Sequence, residues 1–194
     1  MLNPFQRGDP YMLVVGMTGV KMGDRLAQIG CAHGGRLGAV AAKVGLSGRA
    51  VAIVPDQSSA ARARKGAADA GVLVEIEIAP PTRLPADEGA FDLAVVDDTG
   101  GLFGTMRAED RVAAIRELLR ILRPGGRAMI VGAAPRRGVG ALLTRAQSGP
   151  PFASSGQATQ ALQADGFKSV RTLAEREGLI FVEGIKARQA GTAG

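Results

Sequence analysis

The most constraining feature of this sequence is a glycine-rich turn between two apolar segments, within residues 23–56. A short strand is predicted over Arg25–Ile29, followed by a turn over residues 30–35 that holds three glycines. A helix to about Gly45 and a second strand ending near Val54 complete the pattern. Two strands joined through a helix pair in parallel, and their crossover is right-handed. The sequence therefore predicts an α/β fold that contains this βαβ unit.

The turn follows the carboxyl end of the first strand, where open α/β sheets bind their ligands. Its glycines let a ligand approach the backbone closely, and the next helix presents N–H groups at the same place. We therefore expect a nucleotide-like cofactor at this turn.

The rest of the chain alternates between helical and strand patterns. Helices are predicted over residues 11–18, 58–69, 108–122, 140–147 and 157–164, and strands over residues 72–78, 91–96, 127–132, 167–173 and 179–186. Ser58 or Ser59 is the expected cap of the second of these helices. The strand over residues 72–78 alternates apolar and polar side chains, which is typical of a sheet edge. The last two strands are too close in sequence for a parallel crossover, so they form an antiparallel hairpin.

Length and charge limit the classes of protein that this chain can be. Its 194 residues suit one α/β domain, predicted over residues 1–187, with a disordered tail over residues 188–194. The net charge of +6 comes from separate arginines without a dense basic run, which disfavours nucleic-acid binding. A single cysteine excludes an internal disulfide, and no Cys/His spacing indicates a metal site. Without a signal peptide or membrane span, we expect a soluble cytoplasmic protein, with a homodimer left open.

Three segments carry a resemblance to a known family. Residues 20–26, V-K-M-G-D-R-L, resemble an L-K-P-G-D-R-V-L lead-in, and residues 30–34, G-C-A-H-G, resemble a G-x-G-x-G turn. Residues 122–126, L-R-P-G-G, resemble an L-K-P-G-G turn. Over residues 10–187 the chain thus resembles the class I S-adenosylmethionine-dependent methyltransferases, most of all their ubiquinone/menaquinone biosynthesis branch. That resemblance implies a Rossmann-like seven-stranded sheet of order 3-2-1-4-5-7-6, with strand 7 antiparallel and helices on both faces.

The resemblance also implies a function: methyl transfer from S-adenosylmethionine to a small-molecule acceptor. It places the cofactor along the carboxyl ends of the first four strands. The residues implied to contact the cofactor are Gly30, Cys31, Ala32, His33, Gly34, Val54, Pro55, Asp56, Pro80 and Asp97.

Four positions depart from the family pattern. Gln28 replaces the acid that orients the methionine end of the cofactor, and Ala32 replaces the middle glycine of the turn. Val54 replaces the acid that holds the ribose hydroxyls, although Asp56 lies two residues further on. Pro80 replaces the acid that meets the adenine amine. These changes motivate an alternative hypothesis, a methyltransferase-fold protein that has lost cofactor binding and serves as a binding or assembly partner.

The sequence does not assign catalytic residues. Asp97 and Asp98 lie at the carboxyl end of the fourth strand, where they line the methyl-bearing end of the cofactor, accept a proton from a substrate, or cap the following turn. Cys31 and His33 form either a nucleophile–base pair or, as we favour, a set of backbone contacts in which Cys31 packs as an apolar group. Three arginines either meet an anionic substrate or form a solvated face: Arg136, Arg137 and Arg145.

A nicotinamide-dinucleotide Rossmann protein is a third hypothesis. Gly30, Ala32 and Gly35 approximate the G-x-G-x-x-G pattern of that class. The predicted C-terminal hairpin and the lack of an acid directly at the end of the second strand count against it.

Overall fold

The computed structural model describes residues 10–134 and 152–188. In these ranges the chain forms strands β1 Arg25–Ile29, β2 Arg49–Val54, β3 Glu75–Ile78, β4 Phe91–Asp98, β5 Leu122–Ala133, β6 Lys168–Arg176 and β7 Leu179–Ile185. The helices are α1 Met12–Thr18, α2 Gly34–Val44, α3 Gln57–Ala70, α4 Ala108–Ile121 and α5 Gln157–Ala164. The predictions over residues 1–9, 140–147 and 189–194 lie outside the described residues.

The strands form a sheet of order β3-β2-β1-β4-β5-β7-β6. Strands β1 to β5 pair in parallel, and β7 pairs antiparallel with both β5 and β6. Helices α4 and α5 pack on one face of the sheet, and α1 to α3 pack on the other. The predicted fold and strand order are therefore confirmed.

Several strands begin or end at residues other than those predicted from the sequence. Strand β3 begins at Glu75 rather than residue 72, because the C-cap of α3 continues past Gly71 and the Val72 N–H donates to the Ala67 carbonyl. Strand β4 extends two residues beyond the prediction, so Asp97 and Asp98 belong to the strand.

The cap of α3 was also assigned wrongly. Helix α3 begins one residue earlier than predicted, and its N-cap is Asp56 rather than Ser58 or Ser59. The Ser59 backbone N–H donates to Asp56 Oδ1 at 2.7 Å. Aspartate and serine cap helices about equally well, so the sequence alone did not distinguish these positions.

Helices α2 and α3 cross in contact through their glycines. A Cβ atom at Gly66 would lie 2.1 Å from the Gly34 carbonyl oxygen, and one at Gly38 would lie 2.5 Å from the Gly66 carbonyl oxygen. Side chains do not fit at such separations, so the crossing requires glycine. Gly34, which begins α2 in the glycine-rich turn, is therefore also a helix-packing residue.

The L-R-P-G-G segment lies at the amino-terminal ends of the parallel strands, opposite the glycine-rich turn at their carboxyl ends. It interrupts the register between β4 and β5, where Leu122 pairs with Phe91 and Arg127 pairs with Leu93. Asp92 accepts hydrogen bonds from the Arg25 backbone N–H at 2.8 Å and from the Arg123 side chain. The segment thus connects β5 with β4 and β1, which is a structural role.

No helix in the described ranges is both long and apolar enough to cross a membrane. The same residues contain no group of three or more histidine, cysteine or carboxylate side chains that could hold a metal ion.

Candidate cofactor site

The glycine-rich turn leaves β1 through Gly30, whose φ of +76° is in the left-handed region. The Gly30 N–H donates to the Ile53 carbonyl at 2.8 Å, which holds the turn against the end of β2. A Cβ at this position would lie 2.6 Å from Leu102 Cδ2. Glycine is therefore required at position 30 for two reasons: the left-handed backbone conformation and the close contact with Leu102, which follows β4.

Asp97, near the end of β4, is a buried hydrogen-bond partner of the glycine-rich turn. Its side chain is 4% exposed, and its Oδ2 accepts the backbone N–H groups of Ala32 at 2.9 Å and His33 at 3.2 Å. Its Oδ1 accepts from Arg36 Nη2 at 3.2 Å and from the Thr99 hydroxyl at 2.6 Å. Two N–H groups that were expected to face a ligand therefore already bond to the protein's own carboxylate.

Asp98 caps the turn that follows β4, which is one of the roles predicted for it. Its Oδ1 accepts from the Phe103 N–H at 2.6 Å and from the Gly104 N–H at 3.4 Å. Burial raises the pKa of this carboxyl group above its ordinary value. The three arginines considered as substrate contacts lie outside the described residues.

Gln28 is buried beneath the turn. Its Nε2 donates to the Gly30 carbonyl at 3.2 Å, so the amide supports the turn from below. A carboxylate at this position has no donor for that carbonyl. The glutamine that replaces the family's acid therefore makes a hydrogen bond within the protein itself.

Cys31 is buried against α2 and α3 in the cluster that also contains Leu37 and Val54. Burial, together with the Asp97 charge, raises the pKa of the Cys31 thiol to about 11. His33, by contrast, is exposed, with its ring 5.7 Å from the Tyr11 ring. This separation of environments favours the packing role for Cys31 over a nucleophile–base pair.

We predict that Cys31 resists alkylation in the native protein. At pH 8, a thiol of pKa about 11 has only about one thiolate per thousand molecules, and burial restricts access as well. Iodoacetamide labelling followed by mass spectrometry should give a slow native reaction and a fast one in guanidinium chloride. Equal rates in the two conditions would contradict the buried position.

The remaining residues predicted to contact the cofactor differ in their exposure to solvent. Val54 is fully buried, whereas Pro55 and Asp56 lie exposed at the carboxyl end of β2. Pro80 is exposed just beyond the end of β3. The hydrogen bond from the Ser59 backbone N–H lowers the pKa of Asp56, so this exposed carboxylate is ionised at neutral pH.

The exposed candidates share one edge of the sheet. Because β1, β2 and β3 are parallel neighbours, their carboxyl ends bring together Ala32, His33, Pro55, Asp56 and Pro80. We name this set of residues the cofactor edge. It presents an ionised carboxylate among apolar and ring side chains.

Sequence reasoning missed two arginines at this site. Arg36 bonds to Asp97, and Arg62 Nε donates to the Cys31 carbonyl at 2.9 Å. Arg62 also bonds to the hydroxyls of Ser58 and Ser59 in the first turn of α3. The Ser58–Arg62 spacing of four residues indicated only a local helix contact. The link to Cys31 requires the packing of α3 against the turn.

The sheet order and the antiparallel β7 are those of the class I methyltransferase architecture. A family model described as a methyltransferase domain matches residues 27–126, which is more than half of the chain. The chain belongs to the methyltransferase domain family, within the class I S-adenosylmethionine-dependent superfamily. The nicotinamide-dinucleotide hypothesis is not supported by this match.

Two curated relatives illustrate the similarity. The ubiquinone/menaquinone biosynthesis C-methyltransferase of Pseudomonas putida is 31% identical over 117 residues, covering 59% of this chain and 44% of that protein. The 27-O-demethylrifamycin SV methyltransferase of Amycolatopsis mediterranei is 32% identical over 114 residues, covering 59% and 40%. The chain thus spans less than half the length of these two relatives.

Solved structures share the fold at low sequence identity. An S-adenosylmethionine-dependent methyltransferase from Aquifex aeolicus superposes with a TM-score of 0.69 at 19% identity, covering 91% of this chain and 93% of that one. The [4+2]-cyclase SpnF gives a TM-score of 0.68 at 21% identity, covering 91% and 79%. A protein named for cyclisation therefore has the same architecture, so the fold does not by itself define the reaction.

The residues at the cofactor edge fit the adenosine half of S-adenosylmethionine. Asp56 is an ionised hydrogen-bond acceptor, which suits sugar hydroxyls. The side chains of Ala32, His33 and Pro80 are exposed and suit the faces of a flat base. Fewer hydrogen-bonding groups are available to the methionine end of the cofactor, since Asp97 and Gln28 already bond within the protein.

Proposed function

We propose that this protein transfers a methyl group from S-adenosylmethionine to a small-molecule acceptor. The observation that carries the proposal is the ionised Asp56 at the exposed carboxyl edge of β1 to β3, in a chain of the methyltransferase family. The small-molecule acceptor is inferred from relatives that are named for ubiquinone/menaquinone biosynthesis and for a demethylrifamycin.

The bound cofactor supplies a methyl group already activated by its sulfonium. The protein's task is then to align the acceptor with that methyl group and to exclude water, rather than to supply strong acids or bases. In this proposal Asp56 holds the ribose, and Ala32, His33 and Pro80 hold the adenine. Asp97 keeps the turn in shape through the amides of residues 32 and 33.

Asp56 allows binding and folding to be tested separately. In Asp56→Ser the hydroxyl still caps α3, so the free energy of unfolding should change by less than about 0.5 kcal/mol. Loss of the charged acceptor should weaken binding of S-adenosylhomocysteine by about tenfold or more. Titration calorimetry measures the affinity, and urea unfolding measures the stability.

Asp69→Ser is the matched control, because Asp69 lies exposed near the other end of the same helix. It should leave the affinity unchanged and alter the free energy of unfolding by less than about 1 kcal/mol. Unaltered affinity in Asp56→Ser would remove the ribose assignment. An unmodified chain that binds neither S-adenosylmethionine nor its demethylated product at millimolar concentration would overturn methyl transfer and favour the cofactor-free binding protein.

A further inference from the structure

An apolar groove of about 580 Å³ lies at the amino-terminal edge of the sheet, away from the cofactor edge. It forms where α2 and α3 end and where β2 and β3 begin. Its lining consists mostly of aliphatic side chains and glycine, including Ala41, Val44, Val72 and Val74. Among the described residues, two of the most exposed large apolar side chains line it, Leu46 at 96% and Leu73 at 85%.

Both leucines lie just beyond the glycine that ends a helix. Leu46 lies between Gly45, with a φ of +67°, and Gly48, where a Cβ would lie 2.4 Å from a Val44 methyl carbon. Leu73 follows Gly71, the left-handed C-cap of α3, whose N–H bonds back to the helix. The leucines therefore project from ordered helix ends. Single exposed leucines need no explanation, but two on the rim of one apolar groove form a patch typical of an interface.

The charges in the groove favour a second copy of this chain over a strongly charged partner. Its charged lining residues are Arg49 and Glu75, joined by hydrogen bonds of 2.6 and 2.8 Å, with each side chain about half exposed. The lining is thus neutral, so it offers no net attraction to a nucleic acid or an acidic peptide. Because the pair carries both charges, a two-fold axis passing beside it would bring Arg49 of each copy near Glu75 of the other, which is a self-complementary arrangement.

We propose that this groove is an isologous interface between two copies of the chain. Leu46 and Leu73 of each copy pack into the groove of the other, and the Arg49–Glu75 pairs exchange across the two-fold axis. Strand β2 spans about 20 Å between the groove and the cofactor edge, so dimerisation leaves both cofactor edges open. The interface does not depend on the proposed methyl transfer.

Sedimentation velocity on the full chain tests the interface. The unmodified protein should form dimers as its concentration rises to about 100 µM, and Leu46→Glu and Leu73→Glu should each remain monomeric. Met12→Glu is the control, because Met12 is 67% exposed on α1 outside the groove, and it should dimerise normally. Circular dichroism verifies folding, and Leu46→Ser and Leu73→Ser provide milder variants. A monomeric wild type, or dimers that persist in the folded leucine variants, would overturn the proposal.

A charge exchange tests the two-fold arrangement. Arg49→Glu and Glu75→Arg each place like charges across the interface, so each alone should dimerise at least tenfold more weakly. A one-to-one mixture of the two variants restores opposite charges across the interface and should recover dimers. In the mixture, each variant still has like charges at residues 49 and 75 of its own chain. If the pair acted only within one chain, mixing the variants would therefore recover no dimers. Failure to recover would overturn the isologous arrangement.

Discussion

Replacing Gly66 with alanine is expected to destabilise the protein by about 3 kcal/mol or more, despite the higher helix propensity of alanine. The added Cβ would lie 2.1 Å from the Gly34 carbonyl oxygen and 2.3 Å from its carbonyl carbon. These are backbone atoms, so α2 and α3 must move apart to accept the methyl group. Since Gly34 begins α2 in the turn, we also expect weaker cofactor binding. Urea unfolding and calorimetric titration measure the two effects.

Gly16→Ala is the matched control for that substitution. Gly16 lies within α1, and a Cβ there would meet no atom within 4 Å. The same change should therefore stabilise the protein by about 0.5–1 kcal/mol. Equal effects of the two substitutions would show that the close crossing of α2 and α3 is absent.

Asp97→Asn is expected to reduce stability by about 3 kcal/mol and the melting temperature by roughly 6–12 °C. The asparagine amide has one acceptor oxygen where the carboxylate has two. At least one of the present donors therefore loses its partner; these donors are the backbone amides of residues 32 and 33 and the Arg36 side chain. The Arg36 charge also loses its buried counter-ion. The shape of the glycine-rich turn should then loosen, and affinity for S-adenosylhomocysteine should fall with it. Differential scanning calorimetry, with and without this ligand, measures both changes.

The exposed Lys65–Asp69 pair on α3 supplies a control for the loss of a carboxylate. Asp69→Asn removes the same charge from a solvent-exposed ion pair and should change stability by less than about 1 kcal/mol. If Asp97→Asn melts at the wild-type temperature, Asp97 does not support the turn. If Asp97→Asn instead binds the ligand more tightly, the carboxylate competes with the cofactor for the turn amides.

The sequence predicted the architecture well because local patterns encode it. Alternation in β3, the apolar run of β4 and the short link between β6 and β7 each indicate one kind of strand. The L-R-P-G-G segment then indicated the family and, through it, the strand order. The edge position of β3 and the antiparallel β7 are confirmed.

The candidate site was less predictable because its contacts join distant segments. Asp97 bonds to amides 64 and 65 residues away, and nothing near Asp97 in the sequence indicates those partners. The role of Gly66 depends on how two helices cross, which residue spacing does not specify. The Asp56 cap was missed because the neighbouring serines are equally suitable caps. Which contacts the cofactor makes stays a prediction.

The most direct test of the account is a crystal structure of the protein with S-adenosylhomocysteine. We expect one ligand per chain along the cofactor edge, with its ribose hydroxyls on Asp56 and its base beside Pro80. Such a complex would show that the turn accepts an adenosyl ligand although its usual acids are replaced. Crystals grown with the ligand that contain it elsewhere, or not at all, would contradict the account.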